Sequence, residues 1–316
     1  MISKSINRHH ANMRLDRYLR QEFPDETLSR LFGVIRKKKV RVNGVIAKAP
    51  LLLQEGDQVQ IYESLKEKSK EPWGKAPQYC DALFLKNNLH LALEHEDFIV
   101  IDKSSGIASQ PGTGTKAKET LVDMLWQWGQ DARLDFKPTL VHRLDRETSG
   151  LLIAALHGDS LRKLAKIIRE QKLQKYYFAL VKGKLKRDKG VIALNLERSD
   201  SAQGSKVKVS DQGKPSFTRY KVHRRYLDCT LVKIKLETGR MHQIRAHFAS
   251  IGHPLAGDSR YGDFEWNKKL SKQLNLNRLF LHSSQLEWTW KNQSIFIESP
   301  LPKELREIIS QLNHKG

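Results

Sequence analysis

The stretch VHRLDRETSG, residues 141–150, sets His142, Arg143, Asp145, Arg146 and Glu147 directly against the apolar run GLLIAAL. A carboxylate flanked by cations at the mouth of a strand can act as a nucleophile or as a general base, since the cations compensate its charge where water is excluded. Asp145 is the candidate for that role. Alternating charges of this kind also describe an ordinary solvated turn, so the residue types alone leave both readings open. Two other chemistries find little support. PGTGTKAKET holds Gly112, Gly114 and Lys116 but lacks the GxxxxGK[ST] spacing of a phosphate-binding loop. MHQIRAH places His242 and His247 five apart without the glutamate of HExxH, and there is no CxxC, so no metal site is expected.

A carboxylate works only if something rigid holds it. GLLIAAL and FIVI read as buried strands, LRKLAKIIREQ as an amphipathic helix, and YYFALVKG, SFTRYKV, TLVKIKLETG and SIFIES as further strands. HEDFIVIDKSSGIASQPG reads as strand, turn and strand. Strands outnumber helices without regular alternation, which predicts an α+β domain on a largely antiparallel or mixed sheet with a central cleft, over residues 90–312.

The first 62 residues differ in character. Leu15, Tyr18 and Leu19, then Leu28, Leu31, Phe32 and Ile35, recur at helical spacing. VRVNGVIA follows, with Asn43-Gly44 supplying the positive φ of a two-residue hairpin, and LLLQEGDQVQIY adds a turn and a strand. A short basic arm over 1–12, a compact unit over 13–62 and a charged linker over 63–89 complete the expected organisation. The linker includes SLKEKSKEPWGKAPQ, which has two prolines and no apolar period.

Charge narrows the partners. The 316 residues carry 56 Lys and Arg against 35 Asp and Glu, a net +21, which favours a polyanion such as nucleic acid over a small neutral ligand. Residues 1–62 hold 12 basic and 6 acidic side chains, or +6, so most of the excess lies in the later part. Two cysteines, Cys80 and Cys229, and no long apolar run argue against a disulfide framework and a membrane span. The opening MISKSINRHHANMR has no apolar stretch of the secretory kind, and a reducing cytoplasm is the expected location.

The small unit, from RLDRYL through IRKKKVRVNG to EGDQVQIY, resembles the S4 RNA-binding domain. Its Arg14, Arg17, Arg30, Arg36, Lys37, Lys38 and Arg41 leave the apolar helix faces free and suit phosphate contacts. HRLDRETSG matches the HRLDxxTSG signature of the RluA-type pseudouridine synthases at every fixed position. EHEDFIVIDKSSGIASQPG resembles the family's first motif, with Ser104 where a proline is usual. QKYYFALVKG resembles its tyrosine motif, and ETGRMHQIRAHFASIGHPLAGDSRYG its third. Together these cover about residues 13 to 300. KVKVSDQGKPSFTRY and YGDFEWNKKLSKQLNLNRLFLHS most resemble a subgroup that modifies several uridines of 23S ribosomal RNA.

This resemblance implies an isomerase that breaks the uridine N1–C1′ bond, turns the uracil and rejoins it through C5, without a cofactor. Asp145 would be the catalytic carboxylate, Arg245 its partner, and Tyr177 the active-site tyrosine, offering a flat face to the uracil and a hydroxyl. A stacked uridine must be extruded to react. Arg143 would take the vacated place, with His142 and Arg240 also facing the RNA. His142, Thr148 and Ser149 would brace the loop by hydrogen bonds, and Gly150 would permit its tight exit. Nucleophilic attack and removal of the C2′ proton stay open for Asp145. So do a tRNA or mixed substrate, a non-catalytic ribosome-assembly role, and naked RNA or an assembly intermediate as the target. A monomer is the default expectation.

Overall fold

The computed structural model describes residues 1–7, 10–23, 26–65, 90–111, 120–132, 134–199 and 206–314. In the N-terminal unit, helices α1 (Leu15–Glu22) and α2 (Leu28–Arg36) turn Leu15, Tyr18, Leu19, Leu31, Val34 and Ile35 inward. Leu28 and Phe32, also at helical spacing, stay exposed. The Thr27 side chain caps α2 by accepting from the Arg30 amide. Asn43 and Gly44 take φ of 52° and 80° and close the hairpin of β2 (Val40–Val42) and β3 (Val45–Ile46), as their pairing predicts.

Strands β1 (Ile2–Ser5) and β4 (Gln58–Ile61) complete a four-stranded sheet ordered β1-β4-β2-β3. This corrects the expectation of a free arm over residues 1–12. Ile2 lies opposite Ile61, and Ile6 is buried. ISKS has little strand signal of its own; the open edge of β4 supplies the backbone partners. The expected linker falls mostly on residues 66–89, outside the described residues, as do Cys80 and residues 112–119 of the glycine-rich stretch.

The larger unit is built on a ten-stranded sheet among the described residues. Its strands are β5 (His90–Glu94), β6 (Phe98–Lys103), β7 (Thr139–Leu140), β8 (Ser149–Ala155), β9 (Gln174–Lys182), β10 (Lys189–Ala193), β13 (Phe217–Arg225), β14 (Cys229–Leu236), β15 (Leu281–Trp290) and β16 (Gln293–Glu298). The main path runs β10-β13-β14-β9-β15-β8-β6-β5, with β7 on β8 and β16 on β15. The pairing of β15 with β8 is parallel and the other pairings are antiparallel, so the sheet is mixed, as α+β patterning predicts. A separate hairpin joins β11 (Leu196–Ser199) to β12 (Lys206–Val209). The second strand expected after IDKSS is absent. Residues 104–109 form a loop instead, and Ala108 makes an isolated bridge to Thr120.

Among the described residues five helices cover this sheet: α3 (Leu121–Asp131), α4 (Gly158–Arg169), α5 (Gln243–Ser250), α6 (Phe264–Leu274) and α7 (Lys303–His314). Every residue of β8 is buried. Leu152 and Ala154 enter a core with Ile99, Ile101, Trp128 and Val232, while Leu151, Ile153 and Ala155 enter another with Phe98, Leu164 and Trp288. Burial on both sides explains why GLLIAAL is unbroken rather than alternating. At its start Gly150 has φ of 109°, and a Cβ there would lie 2.2 Å from the Ser283 carbonyl oxygen. Only glycine fits this crossing of β8 and β15.

Candidate active site

Asp145 lies in the loop between β7 and β8, clamped from below by the loop that follows β6. Lys103, fully buried at the end of β6, donates to the carbonyls of Ser104 (2.8 Å), Ile107 (2.9 Å) and Arg146 (3.1 Å). Burial lowers its pKa to about 7, yet three carbonyl acceptors match the three protons of its ammonium. The Ser109 hydroxyl donates to the Leu144 carbonyl (2.7 Å) and accepts from the Leu144 amide (3.1 Å), and Ser105 donates to the Glu147 carbonyl (2.7 Å). Arg146 Nε reaches Gly106 O at 2.9 Å. The loop carrying Asp145 is thus tied on both sides of the carboxylate.

Arg245, on α5, donates from Nη1 to Asp145 at 3.3 Å. Its Nε and Nη2 form a fork on Asp258, at 2.7 and 2.8 Å. Asp258 has no solvent exposure and also accepts the amides of Arg260 (2.8 Å) and Tyr261 (2.9 Å). Burial opposes the Asp258 anion, but Arg245 and these amides outweigh it and hold its carboxyl below the ordinary range. Burial likewise opposes the Arg245 cation, and Asp258 followed by Asp145 holds its pKa above the ordinary value. Asp258 therefore fixes the guanidinium in plane and aims its remaining edge at Asp145. At 3.3 Å the gross attraction is on the order of 5 kcal/mol at an effective dielectric of about 20.

His242 stands on the other side of the carboxylate, with Nε2 3.8 Å from Asp145 and Nδ1 3.0 Å from the Tyr261 hydroxyl. It holds φ of 51°, a left-handed conformation uncommon for a residue with a side chain. Burial lowers its pKa, favouring the neutral ring.

Asp145, Arg245 and His242 line a cleft of about 610 Å³ together with Tyr177, Arg143 and Thr148. Tyr177, on β9, is only 4 % exposed and also belongs to the core. Burial, then the Asp145 charge, pushes its hydroxyl above the ordinary range against a Ser283 hydrogen bond, so the phenol keeps its proton at neutral pH. Arg143 is exposed at the cleft and makes no ion pair among the described residues. Arg240 also borders the cleft and is exposed.

The loop supports differ in kind. His142 keeps some surface, but its Nε2 turns inward and accepts the Ile153 amide at 3.2 Å; burial lowers its pKa to about 3. The Ser149 hydroxyl accepts from Arg278 (2.7 Å) and pairs with His282 Nδ1 (2.9 Å). Thr148 departs from the expectation of a hydroxyl brace. Its amide donates to the Asp145 carbonyl at 3.1 Å, whereas its buried Oγ1 has no partner among the described residues. A buried orphan hydroxyl in a cleft wall is a ready contact for a ligand.

In the small unit Arg14, Arg17, Arg30, Arg36, Lys37, Lys38 and Arg41 are all exposed. Arg14 pairs with Asp16 and Arg30 with Glu26. Arg162 of α4 donates to the Ala11 carbonyl at 3.1 Å, joining the two units. Sequence reasoning missed Lys103, Asp258 and His242 as parts of the site. Asp258 sits in the quoted GDSRYG, and His242 was weighed only as a metal ligand. Among the described residues no cluster suits a metal ion, and no helix is long and apolar enough to cross a membrane.

A mixed sheet thus carries a cleft in which Asp145 stands among Arg143, Arg240 and Arg245, and the smaller unit has a basic surface; comparison with known proteins gives the class. Residues 97–250 match the RNA pseudouridylate synthase family model, and residues 13–59 match the S4 domain. The chain belongs to the RNA pseudouridine synthases, isomerases that convert uridine to pseudouridine. It is similar to ribosomal large subunit pseudouridine synthase C of Haemophilus influenzae, 35 % identical over 98 % of this chain and 94 % of that protein. The protein of the same name from Escherichia coli K12 is 34 % identical over 98 % of this chain and 96 % of its own length. Among solved structures, human RNA pseudouridylate synthase domain containing 4 shares the fold, with a TM-score of 0.60 at 22 % identity over 74 % of this chain and 95 % of that one.

Proposed function

We propose that this chain isomerises uridines of 23S ribosomal RNA, with Asp145 as the catalytic carboxylate. The observation that carries the reading is the Asp258–Arg245–Asp145 relay at the floor of the cleft. The substrate reading rests on the names of the relatives and on the S4 unit.

Isomerisation breaks N1–C1′ and forms C5–C1′; the C5 proton is lost and N1 takes up a proton, so substrate and product have the same atoms. Two chemistries are open to Asp145. As a nucleophile it adds to the ribose or the base and is later expelled; as a base it removes the C2′ proton. Both call for an anion whose charge is compensated, and Arg245 supplies that compensation at 3.3 Å. Tyr177 supplies a ring face for the uracil and a protonated hydroxyl, and Thr148 Oγ1 supplies an uncommitted hydrogen bond. Arg143, exposed at the lip, would stack where the extruded base had been and so offset the few kcal/mol of unstacking; its position in the cleft lining supports this reading. Assembly on a large-subunit precursor, action as a monomer and a cytoplasmic setting belong to the same reading.

The test uses rRNA carrying tritium at uridine C5. The wild-type chain should release tritium from deproteinised 23S rRNA and not from tRNA. Release from tRNA alone would replace the substrate reading, and release from neither would favour a binding role for the chain.

A further inference from the structure

We propose that the face of the β10-β13-β14-β9 sheet turned away from the cleft is a second RNA-binding surface, which grips the phosphate backbone of duplex rRNA flanking the reacting uridine. Directly opposed residues of an antiparallel pair share a face. Tyr177, Ile234, Val232, Tyr220 and Ile192 point to the cleft-side core or pack against it. Their neighbours along each strand must therefore point the other way.

Those neighbours fall into two rows. Lys189 lies opposite Lys221, and Lys221 opposite Lys233, so three lysines stand side by side across three strands. Two residues along, Arg219 lies opposite Lys235, and Lys235 opposite Tyr176. Lys189, Lys221 and Arg219 are exposed, and Lys233 and Lys235 are half-buried. The Tyr176 ring lies beneath the cations, 5.2 Å from Lys233 Nζ and 6.0 Å from Lys235 Nζ. Like charges directly opposed across strands are destabilising, and this sheet sets them in consecutive pairs. An anion on the surface removes that penalty.

Among the described residues, local acids relieve only part of it. Glu237 engages Arg219 of the second row, but Asp188 engages Arg225, and Glu287 takes the Gln285 amide while Lys233 donates to the Gln285 carbonyl. Lys189 and Lys221 make no ion pair among the described residues. The chemistry favours a polyanion over a protein partner. A stable protein interface needs a desolvated apolar centre, and here the exposed large apolar side chains on this face of β10 and β13 are Val191, opposite Arg219, and Phe217, two along from Arg219, with cations beside both. Phosphates need only cations on an accessible face, and rows about 7 Å apart along the strands present them in a lattice.

The proposal rests on RNA being the substrate, so its test carries an arm for each. The full chain and Lys189→Gln/Lys221→Gln/Lys233→Gln would be titrated with a 23S rRNA transcript across ionic strength, with turnover followed in parallel. A control, Lys268→Gln/Lys269→Gln/Lys272→Gln on α6, removes the same charge from the helix that packs over Leu180 and Leu231, outside the two rows. The back-face variant should lose about two to three from the slope of log affinity against log salt, at roughly 0.9 per phosphate contact. It should raise KM and leave kcat unchanged. An unchanged slope, or an equal loss in the control, would overturn the second surface while wild-type turnover leaves the enzyme reading intact. A wild type that neither binds nor converts the transcript would overturn both.

Discussion

At the scale of single residues, the site depends on how buried charge is arranged. Arg245 directs three donors at two carboxylates, two at Asp258 and one at Asp145. A lysine has the charge but not the fork. Arg245→Lys should cost about 1–3 kcal/mol of stability through the donor missing at Asp258, and about 10²-fold in kcat through loss of alignment; denaturation and single-turnover kinetics check both. His142 gives a pH signature. Its folded pKa, about 3, lies below the 6.5 of the free side chain. Between those values the unfolded chain binds the extra proton, so stability falls as pH drops through this window. From pH 6.5 to 5 the loss should be on the order of 2 kcal/mol, read from urea midpoints. His142→Gln, which retains an acceptor for the Ile153 amide, should flatten that dependence, while equal curves for both proteins would contradict the buried neutral ring.

At the scale of elements, legibility followed the range of the interactions. The S4-like helices and the Asn43-Gly44 hairpin were readable because their signals are local: an apolar stripe at period 3.6 and two residues that tolerate positive φ. Strand β8 was readable as a buried run. β1 was not, because ISKS becomes a strand only by meeting the open edge of β4 some 55 positions later. The loop at 104–109 was misread as part of a strand because its bonds go to the Asp145 loop about 40 residues away, through Lys103, Ser105 and Ser109. The motif string singled out Asp145, Tyr177 and Arg245, whereas Asp258 and Lys103 emerged only from long-range hydrogen bonds that no spacing rule encodes. Gly150 is where two elements meet most tightly. Gly150→Ala would drive a methyl into the Ser283 backbone at 2.2 Å, and in addition needs positive φ. A loss of more than about 4 kcal/mol, or failure to fold, is expected, and a soluble variant melting as the wild type does would contradict this packing.

At the scale of the whole molecule, the chain has a net charge of +21, and exposed cations stand on the small unit, at the lip of the cleft and on the sheet behind it. The helical unit buries its own apolar core and leaves its arginines and lysines to solvent. On the proposed function it contributes affinity, with the chemistry in the cleft. Arg17→Gln/Arg36→Gln/Lys38→Gln should therefore weaken rRNA binding and reduce the salt slope by about one for each phosphate no longer neutralised. Turnover at saturating RNA should hold, and filter binding beside kinetics separates the two effects.

The most direct measurement of the central claim maps pseudouridines in 23S rRNA by reverse-transcription stops after carbodiimide treatment, in cells lacking this chain and in the same cells given wild type or Asp145→Asn. That substitution keeps the size of the side chain and removes the anion facing Arg245. Defined stops should disappear in the deletion, return with wild type, and stay absent with Asp145→Asn, although that variant binds rRNA within a few fold of wild type. Stops restored by Asp145→Asn would contradict the assignment of the carboxylate, and a map unchanged by the deletion would contradict 23S rRNA as the substrate.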